Sequence, residues 1–190
     1  MDYVHDEFKH NGHLIKIVHD EGADNPIDSD DCVKVVAWHR SYDIGTCDNF
    51  SSPEEFEEFC KETKVHRLPV YLLDHSGVTV STAPFGCSWD SGQVGWVFVT
   101  DERAKEELRP DDPDAEVPTY DKALKSVVEE IDTWLTGNVW GYVIYKLCHC
   151  CGEPRNVVDS CWGFYGDPDE YVREEAMNNV PDLPKGTLAI

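Results

Sequence analysis

The 190-residue chain carries 38 Asp and Glu against 16 Lys and Arg, a formal net charge of -22. Such a surface repels phosphates, because binding to nucleic acid depends on Lys and Arg displacing counterions, and it repels anionic lipid for the same reason. A hydrophobic fraction of 41% with six Trp is too apolar for a disordered acidic tail, so the charge must sit on a folded surface.

The length fits one compact domain over residues 1–190, with acidic loops at 20–31 and 109–117. No apolar run approaches the roughly 20 residues that span a bilayer, and Met1-Asp2-Tyr3-Val4-His5-Asp6-Glu7 lacks the basic start and apolar core of a signal peptide. The expectation is a cytoplasmic protein whose eight cysteines are reduced thiols or metal ligands, not disulfides.

In chain order, residues 13–19 hold Leu14, Ile15, Ile17 and Val18 and read as a strand. A solvated loop over 20–31 follows, and then a Val-rich strand over 32–39. Ser52-Pro53-Glu54-Glu55 starts a helix: a polar cap, Pro in the first turn, and carboxylates at the positive end of the dipole. That helix runs to about Thr63, with Phe56, Phe59 and Cys60 inward.

Residues 68–73 and 78–81 form two strands around the tight turn Asp74-His75-Ser76-Gly77. Residues 85–95 read as a Gly- and Trp-rich loop, 96–100 as a strand and 101–108 as a short helix with an acidic first turn. From 118 to 135 the apolar positions Tyr120, Leu124, Val127, Val128, Ile131, Trp134 and Leu135 fall at helical spacing, and Gly137 ends the helix. Residues 139–147 and 156–160 pair as strands around Cys151-Gly152-Glu153-Pro154, and 167–177 form a last helix. The fold class is α+β, with a mainly antiparallel sheet and two or three helices packed on one face.

No stretch matches a catalytic motif specific enough to name a reaction. Cys148-His149-Cys150-Cys151 holds a pair, Cys148 and Cys151, at the spacing of a zinc knuckle, but only Cys161 follows, and the second ligand pair is missing unless a distant residue such as Cys87 supplies it. Alternating Cys on a strand is also ordinary core packing. No metal or other cofactor is therefore assigned.

Asp74-His75-Ser76-Gly77 sets a carboxylate, an imidazole and a hydroxyl side by side. Neighbours in sequence seldom converge on one atom, and turn chemistry alone selects Asp, Ser and Gly here. Trp89-Asp90-Ser91-Gly92-Gln93-Val94-Gly95 and Asp159-Ser160-Cys161-Trp162-Gly163-Phe164-Tyr165-Gly166 could wall a pocket, since Gly admits close backbone approach and Trp supplies a flat apolar face; they could equally cover a small core. Cys161 as a nucleophile needs a His or a cation beside it, which so acidic a chain seldom offers. His10 and His13 are too sparse to build a site from.

The acidic residues are better organised. Glu54, Glu58 and Glu62 recur every fourth position with Glu55 alongside, so their carboxylates line up on one helix face. Asp28, Asp30 and Asp31 in the first acidic loop, and Asp111, Asp112, Asp114 and Glu116 in the second, add two more negative patches. For any single charge run a solvated face is the commoner reading, but like charges at i and i+4 oppose helix formation and here lack compensating Lys.

The strings Leu68-Pro69-Val70-Tyr71-Leu72-Leu73-Asp74-His75-Ser76-Gly77, Trp89-Asp90-Ser91-Gly92-Gln93-Val94-Gly95 and Asp159-Ser160-Cys161-Trp162-Gly163-Phe164-Tyr165-Gly166 resemble those of an uncharacterised family of phage and prophage proteins. His39-Arg40-Ser41-Tyr42-Asp43-Ile44-Gly45 fits the same pattern, and the cysteine cluster lies outside it. The resemblance implies a phage context and no mechanism. In charge and size the chain is also similar to antirestriction and anti-CRISPR proteins, which imitate DNA.

These readings converge on a phage-encoded acidic inhibitor of a host nucleic-acid-binding defence protein. It would engage a basic protein surface through Asp28, Asp30, Asp31, Glu54, Glu55, Glu58, Glu62, Asp111, Asp112, Asp114 and Glu116, and bind neither nucleic acid nor membrane directly. One alternative is a small enzyme or ligand-binding protein built on the turn and the two Gly/Trp strings, with Cys161, His75 or Asp90 in working roles. The other is an acidic structural or halophilic protein with no inhibitory role.

Overall fold

The computed structural model describes residues 3–27, 31–46, 49–108 and 119–181. Six of the acidic candidates, Asp28, Asp30, Asp111, Asp112, Asp114 and Glu116, lie outside them. The described residues form an α+β fold of eight strands in two antiparallel sheets with helices against them. No helix among them is long and apolar enough to cross a membrane.

Contacts divide the chain into two compact units: a terminal unit of Met1–Asp24 with Gly137–Ile190, and an inserted unit of Asn25–Thr136. In the terminal unit, β1 (Val4–His10) and β2 (His13–His19) make a hairpin around Asn11-Gly12, both at positive φ as a two-residue turn of that sequence requires.

The inserted unit follows in sequence: β3 (Lys34–Ala37), α1 (Pro53–Glu62), β4 (Val65–Asp74), β5 (Val78–Ser81), β6 (Ser91–Thr100), α2 (Asp101–Glu107) and α3 (Tyr120–Leu135). Its sheet has the order β3-β6-β4-β5. Side chains alternate across it, so each strand feeds two cores. Val35, Val70, Leu72, Val80, Val97 and Val99 meet Leu124, Val128 and Ile131 of α3. On the other side Val36 and Phe98 meet Phe56 of α1, which is completely buried. Phe56 lies 4.9 Å from Phe98 and 5.2 Å from Phe50, ring centre to ring centre, in tilted and edge-on contacts that aromatic quadrupoles favour. Helices therefore cover both faces of this sheet, where the sequence reads as helices on one.

Gly95 marks the tightest point of the sheet. A Cβ there would sit 1.9 Å from the Val36 carbonyl oxygen, so the approach of β3 to β6 admits only glycine. At the open edge, Asp132 of α3 reaches β5, accepting the Val80 amide at 2.8 Å and the Thr79 hydroxyl at 2.5 Å.

The chain then returns to the terminal unit with β7 (Val139–Leu147), β8 (Pro154–Tyr165), a π-helical turn (Pro168–Val172) and α4 (Arg173–Asn178). The sheet order is β1-β2-β7-β8. Ile15, Ile17, Trp140, Tyr142 and Ile144 share the face on which Val172 and Ala176 pack. Gly141 of β7 leaves room for the Trp162 ring of β8, which a Cβ would meet at 2.4 Å. Two segments run as strand beyond the sequence reading: 91–95, read as loop, begins β6, and 161–165, past the strand read over 156–160, continues β8 to Tyr165. Their Gly, Ser and Gln hide the strand signal, and pairing with β4 and β7 supplies it.

Candidate functional site

The solvent face of α1 is built from its start. Ser52 caps the helix by accepting the Glu55 amide at 3.3 Å, and the Glu55 carboxylate in return takes the Ser51 amide and hydroxyl, both at 2.7 Å. Those hydrogen bonds from Ser51 hold the Glu55 carboxyl below its ordinary pKa. Glu57 clasps Arg67 through two hydrogen bonds of 2.6 and 3.1 Å, while the guanidinium lies 4.3 Å from the Trp96 ring centre. These acids serve the helix itself.

Glu54, which favours the helix N-terminus by its charge alone, Glu58 and Glu62 have no such partners. All three are exposed, and among the described residues none makes a hydrogen bond or ion pair. Their steps of one turn, about 6 Å of rise, give a row of unneutralised carboxylates. Asp31 is also exposed, with the Arg103 guanidinium 3.3 Å from its backbone carbonyl. Burial, and after it the Asp31 charge, pushes the nearby Glu130 carboxyl upward. The structure thus brings Glu54, Glu58 and Glu62 together on one face, assigns Glu55 a capping role, and places Asp31 on a separate segment.

The turn after β4 and the Trp89 string meet in the inserted unit. Ser76 and Gly77 take positive φ, as the turn demands. The partner of His75 is not its neighbour Asp74 but Asp90, whose Oδ2 lies 3.1 Å from the imidazole Nδ1. Cys87 donates to the same oxygen at 3.5 Å. Asp74 instead accepts the Tyr42 hydroxyl at 2.9 Å, which raises the Tyr42 pKa. Beside this pair is a pocket of about 440 Å³ lined in part by Trp38, His39, Arg40, Asp74, Trp89 and Asp90. Trp89 is 94% exposed, so its ring stands unpacked at the pocket.

The third string belongs to the other unit, on β8. Cys161 is exposed there, and its thiol lies 4.0 Å from the Trp162 carbonyl. Among the described residues no imidazole or guanidinium touches it, so the nucleophile reading lacks its base.

The cysteine cluster occupies the turn between β7 and β8. Cys148 lies past the end of β7, and Cys150 and Cys151 are exposed, which rules out strand packing in a core. The Cys148 amide donates to the Glu153 carbonyl and the Gly152 amide to the Cys148 carbonyl, each at 2.8 Å, with Gly152 at φ 72. This folding-back brings the sulfurs of Cys148, Cys150 and Cys151 within 4.8 Å of one another. Cys148 and Cys150 are 3.0 Å apart, and the Arg155 guanidinium lies 3.5 Å from Cys148. Hydrogen bonding from the Cys150 thiol, foremost, lowers the Cys148 thiol to about 6, and the same hydrogen bond, then the Cys148 charge, raises Cys150 in turn. Three thiolates could hold a soft cation here. The spacing of Cys148 and Cys151 is legible in sequence; the convergence of Cys150 is a product of the turn.

Compared with known protein families, characterised proteins and solved structures, the chain finds no match.

Proposed function

We propose that the protein is a phage-encoded acidic inhibitor that occupies the basic nucleic-acid groove of a host defence protein by imitating a nucleic-acid backbone. The observation that supports this reading is the row Glu54, Glu58 and Glu62, exposed and unneutralised on α1. Like charges at this spacing cost a helix a few tenths of a kcal/mol per pair, and α1 offsets that cost with the Ser52 cap and the burial of Phe56. The helix dipole favours Glu54 in the first turn, but helix stability does not ask for Glu58 and Glu62, whereas a cationic groove does. The step of about 6 Å is on the order of the phosphate spacing along a nucleic-acid strand. Charge complementarity of this kind acts mainly on association rate and specificity, so it is salt-sensitive.

The test is capture of host proteins on the immobilised chain at low salt, elution by salt, and a competition assay. A nucleic-acid-binding protein should elute and should lose its nucleic acid when the chain is added. Affinity for that protein that is unchanged between low and high salt overturns the reading.

The pocket beside His75 and Asp90 supports a second reading, ligand binding in the inserted unit. Its exposed Trp89 and the Arg40 of its lining suit a planar anionic molecule. Such a ligand would quench Trp89 fluorescence, and a Trp89→Phe variant would lose that signal.

A further inference from the structure

The turn between β7 and β8 answers a question that spacing alone leaves open, namely whether Cys148-His149-Cys150-Cys151 acts as one ligand set. Zinc–thiolate bonds of about 2.3 Å place neighbouring sulfurs of a tetrahedral site about 3.8 Å apart. The three sulfurs already lie within 4.8 Å of one another, so only small side-chain rotations separate them from that geometry. The backbone is committed to the turn by two 2.8 Å hydrogen bonds and by Gly152 in the left-handed region, directly after the second cysteine of the Cys148–Cys151 pair.

Charge fits as well. Three thiolates around a divalent ion leave a net negative charge, and the Arg155 guanidinium 3.5 Å from Cys148 compensates it. Cys150 and Cys151 are exposed and Cys148 is half-buried at a hairpin tip, so an ion needs no path through a core.

We propose that Cys148, Cys150 and Cys151 form a three-thiolate site for a soft cation of the zinc(II) or copper(I) class, with one coordination position open to solvent. Binding replaces thiol protons with metal–sulfur bonds and releases them to solvent, with no change of oxidation state. The site is independent of the acidic face of α1. A bound ion cross-links three residues of one turn, so it stiffens the hairpin tip, and the open position leaves room for a donor from a partner.

The experiment uses the full chain, reduced and stripped of metal. Cobalt(II) is titrated in as a spectroscopic probe, and zinc(II) is titrated against a chromophoric chelator. Native mass spectrometry then reads the stoichiometry. The expected result is a sulfur-to-cobalt charge-transfer band, its displacement by zinc, and one ion per chain. Cys148→Ser, Cys150→Ser and Cys151→Ser should each weaken zinc binding by at least about 100-fold, given that loss of even supporting groups costs 10- to 100-fold. Cys161→Ser should leave it unchanged. Circular dichroism matching the parent chain keeps a loss of binding from being mistaken for unfolding. Absence of the charge-transfer band overturns the proposal. So does unchanged zinc affinity in Cys150→Ser, or a reduced chain that closes a Cys148–Cys150 or Cys148–Cys151 disulfide in air while ignoring zinc.

Discussion

The Asp132 carboxylate accepts the backbone amide of Val80 at 2.8 Å, so a side chain on α3 closes part of the open edge of the β3-β6-β4-β5 sheet. An edge amide without a partner is a template for another strand, and burying it unpaired costs free energy. Asp132→Ala should lower stability by about 1–3 kcal/mol. Asp132→Asn keeps an acceptor oxygen and should lose clearly less. Urea unfolding of the two variants decides it, and equal losses in both would contradict the role.

Asp101 at the start of α2 gathers Lys105 at 2.7 Å, Lys64 at 2.9 Å and His66 at 3.0 Å, and these hydrogen bonds, Lys105 foremost, hold its carboxyl far below the usual carboxylate range. A depressed folded-state pKa stabilises above the unfolded value of about 4, and that contribution is lost as pH falls below it. Asp101→Asn should therefore melt lower than the parent chain at pH 7. The gap should narrow as the pH drops below about 4, which melting curves across that range will show.

Gly141 makes space for Trp162. Gly141→Ala should destabilise the terminal unit by about 1–3 kcal/mol through overpacking and should shift tryptophan fluorescence as the ring is displaced. In a Trp162→Ala background the same substitution should cost less but not nothing, because the added Cβ also meets the Cys161 carbonyl oxygen at 2.8 Å. A double-mutant cycle separates the two contacts.

Converting Glu54, Glu58 and Glu62 to Gln should change the melting temperature little, since relief of like-charge repulsion along the face offsets the loss of the Glu54 charge at the helix N-terminus. Under the proposed mimicry the same variant should bind the captured host protein more weakly and with a shallower salt dependence. Phe56→Ala is the contrasting control. It should lose about 3–5 kcal/mol by emptying the aromatic core and should weaken binding only by unfolding α1.

Local chemistry made some of the fold readable. Residues 13–19, 78–81 and 139–147 read as strands to the residue, because each is a bounded apolar run. The helices at Pro53 and Tyr120 announced themselves by caps and spacing. What stayed hidden depends on partners distant in sequence. The strand Val4–His10 carries Asp6, Glu7 and Lys9 and has little apolar signal, although Asn11-Gly12 is a hairpin turn that could have revealed it. The pairing of His75 with Asp90 becomes visible only when β4 and β6 are laid side by side, and the third sulfur of the cysteine cluster only when the turn is folded. On α1 the spacing shows the row of glutamates, but not that Glu55 is held by Ser51 while Glu54, Glu58 and Glu62 have no partner among the described residues.

The insertion of Asn25–Thr136 between β2 and β7 sets an order of events during synthesis. A chain emerging from the ribosome can complete the inserted unit before β7 exists, while β1 and β2 wait as a lone hairpin, marginal in water. Closing β2 onto β7 across an unstructured loop of roughly a hundred residues would be entropically slow; a folded insert shortens the search by holding much of that length in a fixed body. The terminal unit is thus the last to gain stability as it is made.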